Sequence, residues 1–282
     1  MRVLLVGGRS LVAQALRPVL ESFSETITAG RGGCDFQIDL ADPTEAIRIP
    51  PGVDTVVHLA AQFGGPSFEA ILGAEDVNVL GAAKLVNACA EAQVKHLVQV
   101  SSIYAKLPES SAFYGIYSLS KRHGEELTRL LCRSCDLPLA VVRPSQLYGD
   151  TEAFRQHQPF LYSVLDKAER EEEIVINGTH DALRNFIHVD DLAEILARIV
   201  ARRVEGSFDC VAPSNVRFSE IALAAAAAFG SSSNIRFDPN RADIPDNGFE
   251  ADETLYRLIG YFPGISIQEG FSRVAAKRRD FR

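Results

Sequence analysis

The sequence predicts an α/β fold: a doubly wound parallel sheet followed by a smaller C-terminal substrate lobe. Three features carry that prediction. Short apolar runs alternate with amphipathic stretches over the first half of the chain. A glycine pair, Gly7-Gly8, separates the first apolar run from the first amphipathic one. After Gly149 the alternation weakens into polar and charged segments such as Gln156-His157-Gln158. Strands alternating with helices imply βαβ units, whose crossovers make the strands parallel and cover both sheet faces.

In order, residues 3–6 read as a buried strand and 11–23 as a helix. Residues 25–29 form a second strand and 55–60 a third, followed by a helix over 75–92. Residues 96–100 are a fourth strand. A long helix over 114–135 leads to a fifth at 139–143. The alternation returns over 184–200, a strand-like entry and then a helix, and at 207–211. Alanines at 222–228 read as a small-residue helix face, and 241–248 as a loop. This organisation predicts a dinucleotide-binding domain over 1–150, with 184–212 packing back onto it. Residues 151–183 and 213–282 then form the lobe.

Bulk composition narrows the function. With 282 residues, 46% hydrophobic and 23% charged, the chain has the composition of a soluble globular protein. A net charge of −8 argues against a nucleic-acid or anionic-membrane surface. The longest apolar run, 221–229, is too short to span a bilayer. The N-terminal apolar stretch is too short for a signal-peptide core. Five cysteines lie at 34, 89, 132, 135 and 210, none with zinc-like spacing to histidines. Cys132 and Cys135 form a Cys-x-x-Cys inside a helical run, without the strand-and-turn setting of a redox motif. Reduced thiols in a cytoplasmic protein without a bound metal are the expectation.

The turn Gly7-Gly8-Arg9-Ser10-Leu11-Val12 occupies the place of a dinucleotide-binding loop. Glycines let the backbone approach a pyrophosphate, and the helix N-terminus offers free N–H groups to it. Gly7, Arg9, Ser10, Leu11 and Val12 are the cofactor-binding candidates there. The end of the second strand reads Ala29-Gly30-Arg31, with no carboxylate to hold the ribose hydroxyls of NAD. Arg31, with Arg9, is placed to pair with a 2′-phosphate, which favours NADP(H) while leaving NAD(H) open. Asp39-Leu40 are placed at the adenine edge. Downstream, Tyr117 and Lys121 are four apart and project from one helix face. An ammonium beside a phenol is expected to lower the tyrosine pKa and make it a usable acid or base.

Taken together, these residues resemble the extended short-chain dehydrogenase/reductase family, in its branch of NAD(P)-dependent nucleotide-sugar epimerases, dehydratases and reductases. The resemblance runs through the glycine turn, Asp39-Leu40, His58-Leu59-Ala60-Ala61, Asn78-Val79-Leu80-Gly81 and Ser101-Ser102. It continues through the Tyr117/Lys121 pair and Arg143-Pro144-Ser145-Gln146-Leu147-Tyr148-Gly149. Its most specific part is Arg184-Asn185-Phe186-Ile187-His188-Val189-Asp190-Asp191. The resemblance implies a Rossmann-like sheet. It puts Leu59, Ala60, Ala61 and Val100 along the cofactor and Pro144 and Ser145 at the nicotinamide. It makes Tyr117 the acid/base and has Lys121 hold the nicotinamide ribose. Ser102 would bond the reacting oxygen, Gln146 would face the substrate, and Arg184 would pair with the substrate's pyrophosphate. Such proteins often form homodimers through helices around 79–92 and 114–135.

Three chemistries share this scaffold. Dehydratases carry an acidic pair after the catalytic Ser or Thr, whereas Ile103-Tyr104 stand here. Double-epimerising reductases place a cysteine in that loop, and none of the five lies there. The expectation is therefore an NADPH-dependent reductase of a nucleotide-linked 4-keto sugar, with an NAD-dependent 4-epimerase as the alternative. A non-catalytic dinucleotide sensor and a reductase of small hydrophobic carbonyl compounds are weaker alternatives.

Overall fold

The computed structural model describes residues 1–44 and 46–280, so positions 281 and 282 of the expected lobe lie outside the described residues. The chain divides into two compact units. The first comprises Met1–Pro144, Leu192–Cys210 and Asp252–Tyr261. The second comprises Ser145–Asp191, Val211–Ala251 and the chain from Phe262 on.

The first unit holds six strands in order, with helices after the first, fourth and fifth: β1 (Arg2–Val6), β2 (Glu25–Gly30), β3 (Phe36–Gln37), β4 (Thr55–His58), β5 (His96–Val100) and β6 (Leu139–Pro144). With strand Gly206–Cys210 they make a seven-stranded sheet in the order Gly206–Cys210, β6, β5, β4, β1, β2, β3. Every pairing is parallel. The order reverses at β1, between β4 and β2, and ligands of open α/β sheets bind beyond the strand ends at such a point. Alternate residues of β1 face opposite ways. Leu4 and Val6 pack with Leu85, Val86 and Cys89. Val3 and Leu5 are equally inaccessible, so both faces are covered.

Helix α1 (Leu11–Glu21) follows β1, and its Ala13, Leu16 and Leu20 form the buried stripe. The helix expected over 75–92 is present, starts earlier and contains a π-helical turn. Helix α2 (Phe68–Glu75) passes through a π-helical turn, Asp76–Gly81, into α3 (Ala82–Glu91). Helix α4 (Ile116–Ser134) packs on both the π-helical turn and α3.

The second unit holds three small pairings. Gln146–Tyr148 runs parallel to Phe186–His188, and Ile174–Asn177 parallel to Ile235–Asp238. Leu183–Arg184 runs antiparallel to Val216–Arg217. Helix Phe218–Phe229, the alanine-rich segment, packs on helices Pro159–Glu169 and Ile267–Asp280. Those two flanking helices carry charges that pair with each other, Arg278 with Asp166 and Glu169, and so read as polar segments.

The boundary between units differs from the expected one. It falls at Pro144 and not at 150, because Gln146–Tyr148 pairs within the second unit. For the same reason 184–191 belongs to the second unit, while 192–210 joins the sheet unit. Helix Thr254–Ile259 also belongs to the first unit, where it packs on strand Gly206–Cys210. Among the described residues no helix is long and apolar enough to cross a membrane.

Candidate active site

The glycine turn is built for close approach. Gly7 has φ +89°, and a Cβ there would lie 2.6 Å from the Ala60 nitrogen. The N–H groups of Leu59 and Ala60 both donate to the Val6 carbonyl, at 2.8 and 3.0 Å, which holds Leu59-Ala60 against the turn. Ser10 caps α1, its Oγ accepting from Ala13 N at 3.1 Å. Leu11 and Val12, half-buried, open that helix. The side-chain-free turn and the N-terminus of α1 fit a dinucleotide pyrophosphate. Arg9 and Arg31 are exposed. Asp39 accepts from Ala41 N, and Leu40 is buried.

Sequence reasoning missed a carboxylate near the end of β2. Asp35 accepts from both the N–H and the hydroxyl of Thr28, each at 2.8 Å. The Thr28 hydroxyl and N–H hold its carboxyl below the usual range. The loop after β2 thus carries an acid already engaged by the strand, alongside Arg31.

Tyr117 and Lys121 lie on one face of α4, with the ammonium 5.9 Å from the ring centre. Ser102 caps a short 3-10 turn, Ile103–Lys106, at the end of β5, and its Oγ accepts from Tyr104 N at 3.2 Å. The Ser102 hydroxyl lies near enough to the Tyr117 phenol to act against the rise of its pKa. Ser101 Oγ is buried with no protein partner. Lys121 is 7% exposed, and its Nζ donates to the Val100 carbonyl at 3.1 Å.

The expected effect of Lys121 on the phenol is corrected by the structure. Burial pushes Tyr117 up to about 12, and the Ser102 hydrogen bond only partly opposes it. Burial also brings Lys121 down to about 8, against the attraction of Glu125. Desolvation disfavours both charged forms and here outweighs the pairwise attraction. His58, at the end of β4, is brought down to about 3 by burial and by Lys121, so it is neutral, with Nε2 unpartnered.

Two further groups organise this region without any motif signal. Arg122, next to Lys121 on α4, donates from Nε to the Ala105 carbonyl at 2.9 Å and from Nη2 to the Leu107 carbonyl. It thereby ties the turn that follows Ser102 to the helix that carries Tyr117. Below it, Glu125 is buried and held by Arg143 through Nε at 2.9 Å and Nη2 at 2.7 Å. Arg143 also reaches Asp209 at 3.2 Å, and Asp209 pairs with Lys106 in the same turn.

Pro144, buried at the end of β6, closes the first unit. In the second unit, Ser145 Oγ and Gln146 Oε1 are buried without a protein partner. Arg184 is 7% exposed; its Nη1 donates to the carbonyls of Leu183 and Pro245, and its guanidinium stands 4.7 Å from the Phe218 ring centre.

Residues 3–209 match the model of the NAD dependent epimerase/dehydratase family. The chain is similar to a dTDP-4-dehydro-6-deoxy-D-allose reductase of Streptomyces bikiniensis, 30% identical over 210 residues, covering 68% of this chain and 64% of that protein. It is also similar to the CDP-abequose synthase of Salmonella typhimurium, 24% identical over 198 residues, covering 70% of this chain and 64% of the relative. The chain thus spans 64% of the length of both curated relatives. Among solved structures, the UDP-N-acetylglucosamine 4-epimerase from Bacillus cereus superposes with a TM-score of 0.79 at 19% identity. That likeness, covering 99% of this chain and 96% of the other, is one of fold.

Proposed function

Because the chain belongs to the NAD dependent epimerase/dehydratase family, we propose that it is an NADPH-dependent reductase of a nucleotide-linked 4-keto sugar, with Tyr117 as the proton donor. The observation that carries this reading is the half-buried Tyr117 phenol on α4 near Ser102, with the Lys121 ammonium 5.9 Å from its ring centre. A phenol pushed up to about 12 keeps its proton at neutral pH, which suits protonation of an alkoxide. The reductase name of the 30% identical relative points the same way.

When bound, a reduced nicotinamide supplies the hydride. Tyr117 then gives its proton to the oxygen that becomes an alkoxide, and Ser102 stabilises that oxygen by a hydrogen bond. Lys121, oriented by the Val100 carbonyl, would donate to the nicotinamide ribose. The turn from Gly7 to Val12 would hold the cofactor's phosphates, and Leu59, Ala60, Ala61, Pro144 and Ser145 would line the rest of it. For the substrate, Gln146 contacts the sugar, and Arg184 pairs with the nucleotide's phosphates. Two carbonyls and Phe218 already orient the Arg184 guanidinium, which lowers the entropy lost on pairing.

A homodimer is part of the proposal. Phe68 and Leu72 on α2, Leu80 on the turn and Leu130 on α4 are large apolar side chains left exposed. Five free cysteines favour a reducing, cytoplasmic setting.

The test is consumption of NADPH by the purified protein with dTDP- and CDP-linked 4-keto-6-deoxyhexoses. Steady oxidation of NADPH with formation of the 4-hydroxy sugar is the expected result. Tightly bound NAD that co-purifies, with exchange of C4 epimers and no net consumption, would replace this reading by the 4-epimerase. Binding of dinucleotide without turnover of any sugar would leave the non-catalytic sensor.

Arg31 is proposed to read the 2′-phosphate. Charge-assisted bonds of this kind contribute about 1.5–3 kcal/mol, so Arg31→Ala should weaken NADPH by about 10- to 100-fold and leave NADH unchanged. Titration of both cofactors by fluorescence checks it. Equal loss for both, or none, would remove Arg31 from the cofactor site.

A further inference from the structure

Ser102 and Tyr117 belong to different elements, the turn after β5 and helix α4, and the chain between them is exposed at Pro108, Glu109, Ser110 and Ala112. Arg122 closes that segment at both ends. At its start, Nε donates to the Ala105 carbonyl at 2.9 Å and Nη2 to the Leu107 carbonyl. At its end, the guanidinium stands 5.7 Å from the centre of the Tyr114 ring, a cation–π contact two residues before α4 begins. The Ser102 hydroxyl moves with this turn. Its Oγ accepts from Tyr104 N at 3.2 Å, and the Ser102 carbonyl accepts from Ala105 N at 3.0 Å. A second tether runs from the turn to strand Gly206–Cys210, through Lys106 and Asp209. The phenol has supports of its own. Phe63 stacks on the Tyr117 ring with centroids 4.8 Å apart, and Tyr104 meets it edge-on at 6.5 Å.

We propose that Arg122 is a positioning residue for the reaction at Tyr117: it sets where the Ser102 hydroxyl stands relative to the phenol. This inference rests on the roles given to Tyr117 and Ser102 in the ketoreductase reading. Arg122 lies on the same helix as Tyr117, so the turn is referenced to the element that carries the phenol. Arginine suits the task, because one planar fork spans two carbonyls, whereas an ammonium is a point charge on a flexible stem. Ala105 and Leu107 are buried, and a buried carbonyl left without its donor is unfavourable, so the turn relaxes to regain a partner. A misplacement of about 1 Å at a reacting geometry lowers the rate by about 10²-fold.

The experiment is a double-mutant cycle. Single-turnover NADPH oxidation with a nucleotide-linked 4-keto sugar is measured for wild type, Arg122→Ala, Ser102→Ala and the double variant, beside cofactor titrations and thermal melts. Arg122→Ala should lower the rate by about 10- to 100-fold when Ser102 is present. In the Ser102→Ala background the same change should cost less than about threefold, since a misplaced hydroxyl matters only where there is one. Cofactor affinity should be the same in all four proteins. Added guanidinium ion should raise the rate of Arg122→Ala and not that of the double variant. Equal falls in both backgrounds overturn the proposal, since Arg122 would then only hold the fold. An unchanged rate in Arg122→Ala, or a loss explained by weaker cofactor binding, also overturns it. Where the melt shows Arg122→Ala unfolded, Arg122→Lys takes its place in the cycle and is read by the same outcomes. A wild-type rate in Ser102→Ala removes the role of Ser102, and the inference with it. If wild type itself turns over no 4-keto sugar, the ketoreductase reading fails first, a result distinct from an additive cycle in an active protein.

Discussion

Tyr117→Phe is expected to lower turnover by about 10²–10⁴-fold while leaving cofactor affinity unchanged. The substitution removes only the phenolic oxygen, and the ring can keep its stack on Phe63. Lys121 keeps its bond to the Val100 carbonyl. What is lost is the proton at the reacting oxygen. Single-turnover rates with saturating NADPH, beside a cofactor titration, separate the two effects. Retention of full turnover would end the assignment of Tyr117 as proton donor. The pH profile adds an independent check. Burial keeps the phenol protonated up to about 12, so the donor itself imposes no alkaline limit near neutrality. Lys121, brought down to about 8 by burial, loses its charge as pH rises through that value. Cofactor affinity in the wild type should therefore weaken above about pH 8.

Glu125→Ala is expected to destabilise the fold by about 3–5 kcal/mol, a large share of the roughly 5–15 kcal/mol of an ordinary domain. The Glu125 side chain is 2% exposed and that of Arg143 13%. Burial acts to lower the Arg143 guanidinium, but the bonds to Glu125 and Asp209 outweigh it and hold its pKa above the ordinary value. Alanine leaves that guanidinium with Asp209 alone and strands Arg129, which also donates to Glu125 at 2.6 Å. It further removes the carboxylate that supports the charge of Lys121. Denaturant titration reads the loss as a shift in midpoint at constant slope. A change below about 1 kcal/mol would show that the buried network contributes little to stability.

What the sequence shows depends on how local the cause is. Strands β1 and β5 are legible because a fully buried parallel strand is a short apolar run bounded by turn residues. The pairing of Tyr117 with Lys121 is legible because it follows from helical spacing. The direction of their pKa shifts is not, because it depends on how much water the rest of the fold removes. Asp35 is invisible as a partner of β2 for a similar reason: the loop, and not the spacing, brings it to Thr28. Phe63 and Arg122 escape because the contacts that give them meaning are to a loop and to backbone carbonyls. Helices Pro159–Glu169 and Ile267–Asp280 are hidden by charges that find partners only in three dimensions.

The sheet unit is discontinuous along the chain, and that shapes how it is made. Strand Gly206–Cys210 pairs with β6, and helix Thr254–Ile259 packs on that strand. A chain emerging from the ribosome therefore cannot finish its first unit until residue 261 has been synthesised. Until residues 206–210 emerge, β6, whose Ala140, Val141 and Val142 end fully buried, presents an open apolar edge. A fragment cut near residue 150 looks like a ready-made domain, yet it would carry that edge permanently and be prone to aggregate.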